Sequence, residues 1–160
     1  YHKIFLNKKI DDNSVNELAQ KFSKLVLDKV VRAPYVNGAN EFISINYRKY
    51  DFYISSGTPE NEIRKIAKRR NINQYFKDIY GSPSTKSEHV TLILKEKDYN
   101  SSEVLYIGDA PSDKIAALEN GIHFIARVDS KDSPLRKEKY IISDLVDLDE
   151  YIHKIPLIYY

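Results

Sequence analysis

Cysteine and methionine are both missing from a chain of 160 residues. Without cysteine there is no disulfide, no thiolate metal site and no cysteine nucleophile, which fits a reducing, cytoplasmic setting. No apolar run approaches the roughly 20 residues of a membrane span. The opening stretch "YHKIFLNKKI" lacks the charged, apolar and small-residue zones of a signal peptide. A surplus of one charge sign is lacking too: 25 Lys and Arg against 23 Asp and Glu leave +2. That is too small to argue for a nucleic-acid or membrane partner. Internal repeats and low-complexity segments are absent. What remains is an ordinary globular composition, 42% apolar and 30% charged, with chain enough for one sizeable core and a small appendage.

Hydrophobic spacing supplies the elements. From Asp12 to Val30, Val15, Leu18, Phe22, Leu25 and Val26 fall at helical intervals behind a cap at Asn13 or Ser14. Pro34 and Gly38 in "RAPYVNGANEF" mark a boundary, and Phe42, Ile43 and Asn46 start a second helical pattern. Beyond it, short apolar runs alternate with amphipathic stretches. "DFYIS" reads as a strand, then "TPENEIRKIAKRR" as a helix capped by Thr58 with Pro59 in its first turn. "FKDIYGS", "EVLYIG", "IHFIARV" and "KYIIS" are the following strands. Between and after them "KSEHVTLILKEK", "PSDKIAALEN" (stopped by Gly121) and "VDLDEYIHKI" are helices. The basic run "RKIAKRR" falls where a helix ends, where cations complement the helix dipole. Strands alternating with helices predict an α/β fold, a Rossmann-like and mainly parallel sheet flanked by helices.

In such a sheet ligands gather beyond the carboxyl ends of the strands. The residues there are Ser55, Ser56, Gly57 and Thr58 after one run, Gly81, Ser82 and Lys86 after the next, and Gly108, Asp109 and Asp113 after "VLYI". Taken singly, each has a plainer account. Ser55 to Thr58 could only turn the chain and cap a helix, Lys86 could be a surface lysine, and Asp109 and Asp113 could be acidic residues at a helix start. Taken as a set, hydroxyls and amides at a helix N-terminus suit a phosphate, and the carboxylates suit a hard cation. The histidines His2, His89, His123 and His153 lie far apart with no ligand spacing and read as ordinary structural or surface residues.

The order of these pieces resembles the haloacid dehalogenase-like (HAD) hydrolase superfamily. "FYISSGTP" is similar to its second motif, Lys86 in "GSPSTKSEH" to its third, and "YIGDAPSDKIAALENGI", with its Gly-Asp-x-x-x-Asp core, to its fourth. The resemblance covers about Pro34 to Val128. Residues 1–33 look like the C-terminal part of the helical cap of the phosphoglycolate phosphatase type, and 34–160 like the α/β core. The resemblance implies a Mg2+-dependent phosphatase acting on a small phosphorylated metabolite. Ser55, with the amides of Ser56 and Gly57, would bind the phosphoryl group. Lys86 would neutralise charge shared between it and a nucleophilic aspartate. Asp109 and Asp113 would form the metal site, Asp113 orienting the metal's waters or Lys86. Gly108 would let the backbone turn tightly off its strand.

The family's first motif, an apolar strand followed by Asp-x-Asp, has no match. Asp11 and Asp12 are adjacent rather than spaced, and Asp51 and Asp78 lie before or inside their strands. The expectation is therefore an upstream segment carrying that motif and the front of the cap. Without that central strand, unpaired edges and an unfilled core should remain, and the chain alone should be inactive. Alternatives are a phosphomutase or dehalogenase of the same superfamily, a degenerate scaffold, or a non-catalytic phosphate-binding regulatory module. Receiver-like modules place their acidic pair before the hydroxyl and lysine, whereas here it comes last. The tyrosine-rich end "IPLIYY" could be core or a contact surface.

Overall fold

The computed structural model describes residues 27–154. The chain divides into two compact units, Tyr1–Pro34 and Tyr35–Tyr160. In the first, residues 27–32 are helical; the rest of the expected Asp12–Val30 helix lies outside the described residues, as do His2, Asp11, Asp12 and "IPLIYY". Among the described residues no helix is long and apolar enough to cross a membrane.

The second unit runs α1 (Ala39–Asn46), β1 (Phe52–Pro59), α2 (Glu60–Arg69), β2 (Phe76–Ser82), α3 (Lys86–Lys97), β3 (Leu105–Gly108), α4 (Pro111–Glu119), β4 (His123–Arg127), β5 (Ile141–Ile142) and α5 (Leu148–Lys154). Every strand pairing is parallel, as the strand–helix alternation predicts. β1 pairs with β2 from Phe52↔Phe76 to Pro59↔Ser82. β3 pairs with β4 from Leu105↔His123 to Gly108↔Ala126, and β4 with β5. The strands form two pieces, β1-β2 and β3-β4-β5, so β1 and β3 each pair on one side only among the described residues.

Local chemistry sets the boundaries. The helix after β1 starts one residue later than expected, at Glu60 with Pro59 rather than Thr58 in the cap position. The Ser56 hydroxyl accepts from the Thr58 amide at 3.1 Å, which consumes that amide in a local turn, and Pro59 stays extended at φ −50°, ψ 136°. β1 therefore carries an irregularity between Ser55 and Pro59, and Ser55 to Thr58 lie in the strand rather than at the helix N-terminus. β3 begins at Leu105 rather than Glu103, because Ser101–Glu103 is a 3-10 turn whose Glu103 carboxylate accepts from the Asn100 amide at 3.1 Å. α3 matches its expected limits, and its start is built by a capping box. Thr85 Oγ1 accepts from the Glu88 amide at 3.2 Å while Glu88 Oε2 accepts from the Thr85 amide at 2.7 Å, an arrangement worth about 1 kcal/mol. α4 ends where Gly121 takes φ 64°, a left-handed conformation that glycine adopts without penalty.

Period-2 alternation along β3 and β4 divides the core between two faces. Leu105, Ile107 and Ile125 pack with Phe42, Phe52, Leu148 and Ile152. Val104, Tyr106 and Phe124 join Val90, Ala116, Ala117 and Ile122 on the other. Ala116 and Ala117 are essentially inaccessible, and their small side chains let α4 lie close against the sheet. That close approach carries the start of α4 to the rim described next.

Candidate active site

α4 follows β3 after two residues, so its first turn stands directly over the strand's carboxyl end. Asp113 lies there, 3% exposed, and its Oδ2 accepts from the Ala110 amide at 2.9 Å. That satisfies one of the amides a helix start leaves without an intrahelical partner. A Cβ at Gly108 would overlap the Asp113 carboxyl. Glycine is thus required by this close approach; the positive-φ glycines are Gly38 and Gly121, so the tight turn expected at Gly108 is not the reason.

The other Asp113 oxygen, Oδ1, accepts from Lys86 Nζ at 2.5 Å, with side chains only 5% and 20% exposed. Screening by water is weak at this burial, so each charge depends on the other for its compensation. Thr85's capping box places Lys86 in the first turn of α3, and the packing of α3 beside α4 brings the two charges together. Asp109, by contrast, is exposed and makes no hydrogen bond or ion pair with a described residue.

On the neighbouring piece of sheet, Ser55 Oγ lies 2.9 Å from His89 Nδ1. His89 is 2% exposed, its Nε2 lies 3.1 Å from the Gly81 carbonyl oxygen, and its ring stacks on Tyr80. Glycine at 81 is also a matter of space, because a Cβ there would meet backbone atoms of Thr58 and Glu60 at 2.5 Å. Tyr106 of β3 spans the unpaired edges: its hydroxyl makes a long 3.5 Å contact with the Ser55 carbonyl oxygen. Burial holds the Tyr106 phenol above its ordinary pKa; the bond to Ser55 opposes this and the Asp113 carboxylate reinforces it. One rim therefore joins Ser55, His89, Tyr106, Lys86 and Asp113, with Ser56, exposed Gly57 and exposed Asp109 beside them on β1 and after β3.

Two members of this rim do not stand out in the sequence. His89 reads there as an ordinary structural residue, yet it is the hydrogen-bond partner of Ser55. Its signal is its position three residues after Lys86, which puts both on one face of α3. Tyr106 reads as strand filling, and only the juxtaposition of β1 and β3 gives its hydroxyl a place.

Among the described residues no group of three or more His, Cys, Asp or Glu side chains is arranged to hold a metal ion. A single free carboxylate does suit Mg2+, which takes one or two carboxylates and fills its octahedral shell with waters and substrate phosphate. Asp109 is a carboxylate with that freedom. Asp113 directs its oxygens at Lys86 and the Ala110 amide, and so holds Lys86 in place.

The profile of the haloacid dehalogenase-like hydrolase family matches residues 2–127. No curated protein matches the chain. Among solved structures, a haloacid dehalogenase-like family hydrolase from Streptococcus pneumoniae is similar, with TM-score 0.72 and 19% identity over 89% of this chain and 72% of that one. A predicted phosphoglycolate phosphatase from Haemophilus somnus reaches TM-score 0.76 at 13% identity, over 92% and 70%. The HAD-hydrolase YfnB of Bacillus subtilis, bound to magnesium, reaches 0.75 at 18%, over 92% and 66%. At these identities the structures speak for the fold, and the profile, which spans more than half the sequence, speaks for descent: this chain belongs to the haloacid dehalogenase-like hydrolase family.

Proposed function

We propose that the protein is a Mg2+-dependent phosphatase that hydrolyses a small phosphorylated metabolite through an aspartyl-phosphate, the attacking carboxylate coming from a strand beyond the present sequence. The observation that carries this reading is the buried Lys86–Asp113 pair on the same rim as Ser55, beside two strands, β1 and β3, that each pair on one side only among the described residues. A strand entering between them would end at this rim. The descriptions of similar structures as a predicted phosphoglycolate phosphatase and a magnesium-bound HAD-hydrolase support it.

The chemistry asks for a dianionic phosphoryl group to be approached by a second anion, a problem answered by positioning and electrostatics. Ser55 binds one phosphoryl oxygen through its hydroxyl, and the amides of Ser56 and Gly57 bind others. Lys86 places a fixed positive charge between nucleophile and phosphate. Asp113 anchors that ammonium through Oδ1, so no reorganisation is needed when charge develops. Asp109 is the residue that would hold Mg2+, which when bound supplies charge neutralisation at the phosphoryl oxygens.

The test is hydrolysis of p-nitrophenyl phosphate by the product of the complete reading frame, with and without Mg2+, beside Asp109→Asn. Magnesium-dependent turnover that is lost in Asp109→Asn is expected. Full activity in that variant, or a reading frame without an upstream Asp-x-Asp, overturns the proposal.

A further inference from the structure

His89 is buried, is bonded at both ring nitrogens and has no part in the reading above. Its two bonds fix where protons lie. Gly81's carbonyl oxygen only accepts, so Nε2, at 3.1 Å from it, carries a hydrogen. A neutral ring then has a bare Nδ1, and the 2.9 Å contact with Ser55 Oγ requires the serine hydroxyl to donate to it. Ser55 in this state has its only hydroxyl hydrogen committed to the bond with His89. A phosphoryl oxygen in the site is itself an acceptor and needs that same proton.

Turning the hydroxyl toward the anion would leave Nδ1 bare in a residue only 2% exposed, which carries the full desolvation penalty of an unpaired buried acceptor. A second proton on the ring removes the conflict. Nδ1–H then donates to Ser55 Oγ, and the serine hydroxyl is free to donate to the anion. We propose that His89 sets the direction of the Ser55 hydroxyl and that binding of a dianion at Ser55 takes up one proton on His89. The inference rests on the assignment of Ser55 as a phosphoryl-binding residue and adds a positioning residue to it.

The surroundings bear on the sign. β1 presents the Ser55 hydroxyl and β2 presents Tyr80, stacked on the ring with centroids 5.5 Å apart. On its own helix are Glu88, whose carboxylate accepts from the Thr85 amide at 2.7 Å, and Lys86, neutralised by Asp113 of α4. Tyr106 of β3 approaches through the Ser55 carbonyl. With Lys86 matched by Asp113, an incoming dianion is the largest uncompensated charge near the ring, and it favours imidazolium. Affinity for a dianion therefore rises as pH falls.

Sulfate is the probe, because it has the shape and charge of a phosphoryl dianion and no proton of its own between about pH 8 and pH 5, the span of the measurement. Two measurements on the full chain decide the matter. Calorimetric titration across this range should show affinity rising by up to about tenfold per unit fall in pH, with one proton taken up. Imidazole nitrogen NMR should show His89 neutral with hydrogen on Nε2 in the free chain near pH 8, and doubly protonated once sulfate is bound. His89→Asn keeps a hydrogen-bonding partner for Ser55 and does not titrate, so its sulfate affinity should be independent of pH; the NMR arm stands if that variant does not fold. Sulfate bound at Ser55 with pH-independent affinity, or with His89 still neutral, overturns this inference and leaves the phosphatase reading intact. No binding that perturbs Ser55 and Lys86 overturns both.

Discussion

Replacing Asp113 by asparagine separates the two jobs of its carboxylate. Asparagine keeps a carbonyl oxygen to accept from the Ala110 amide, now 2.9 Å from Oδ2, but turns an amide nitrogen toward Lys86 Nζ, now 2.5 Å from Oδ1. Donor then faces donor, and a mostly buried ammonium loses its counter-charge. Breaking a buried pair from one side costs about 3 to 5 kcal/mol. Lys86 keeps 20% of its side chain exposed and can partly re-solvate, so a loss at the lower end, about 3 kcal/mol, is expected. Asp113→Ala also strips the helix-start bond and should cost about 1 kcal/mol more. The assay is urea denaturation of wild type, Asp113→Asn, Lys86→Met and the double variant. The double variant should be closer to wild type than the summed single losses, because removing both charges leaves no uncompensated ion. Additivity within about 0.5 kcal/mol would mean that the two groups do not interact and would refute the account of the rim.

Two further outcomes follow from the same geometry. Gly81→Ala places a Cβ 2.5 Å from backbone atoms of Thr58 and Glu60, which cannot move aside as a side chain does. A loss of about 2 kcal/mol or more is expected in the same assay, and an unchanged midpoint would show that β1 and α2 yield there. The Asp51 carboxyl is held below its usual range, first by the Tyr99 hydroxyl, which donates to it at 2.6 Å, and then by Lys77. A depressed carboxylate stabilises the fold above its unfolded pKa, and the contribution disappears as pH falls through the folded value. Asp51 is 46% exposed, so solvent screening limits this to at most about 1 kcal/mol. Wild type should exceed Asp51→Asn in stability near pH 6 and lose that margin below about pH 4; a margin constant with pH would contradict the assignment.

How far the sequence reaches differs from element to element. The helix Lys86–Lys97 is legible to the residue because its capping box is local, written in Thr85 and Glu88. The start of α2 is not, because a Thr-Pro pair suits a helix start and a strand end alike, and pairing of Pro59 with Ser82 decides between them. Ser55, Lys86, Asp109 and Asp113 are legible as a set through their order after successive strands. Their division of labour is not, since Asp109 and Asp113 are the same residue type four positions apart and differ only in what surrounds them. The partner of His89 is not legible for a related reason: a histidine is informative only through its contacts, and Ser55 lies 34 residues away.

By itself the amino-acid sequence determined the parallel α/β alternation, the family and the short menu of polar residues at the strand ends, because these depend on side-chain periodicity and spacing along the chain. Packing decided the rest. The closeness of α3 and α4 makes Asp113 an anchor for Lys86 and leaves Asp109 free. The approach of α4 to β3 makes Gly108 a question of space. The burial of His89 between Ser55 and Gly81 gives a hydroxyl its direction. Each depends on which groups share a small volume with little water, and distance along the chain does not specify that.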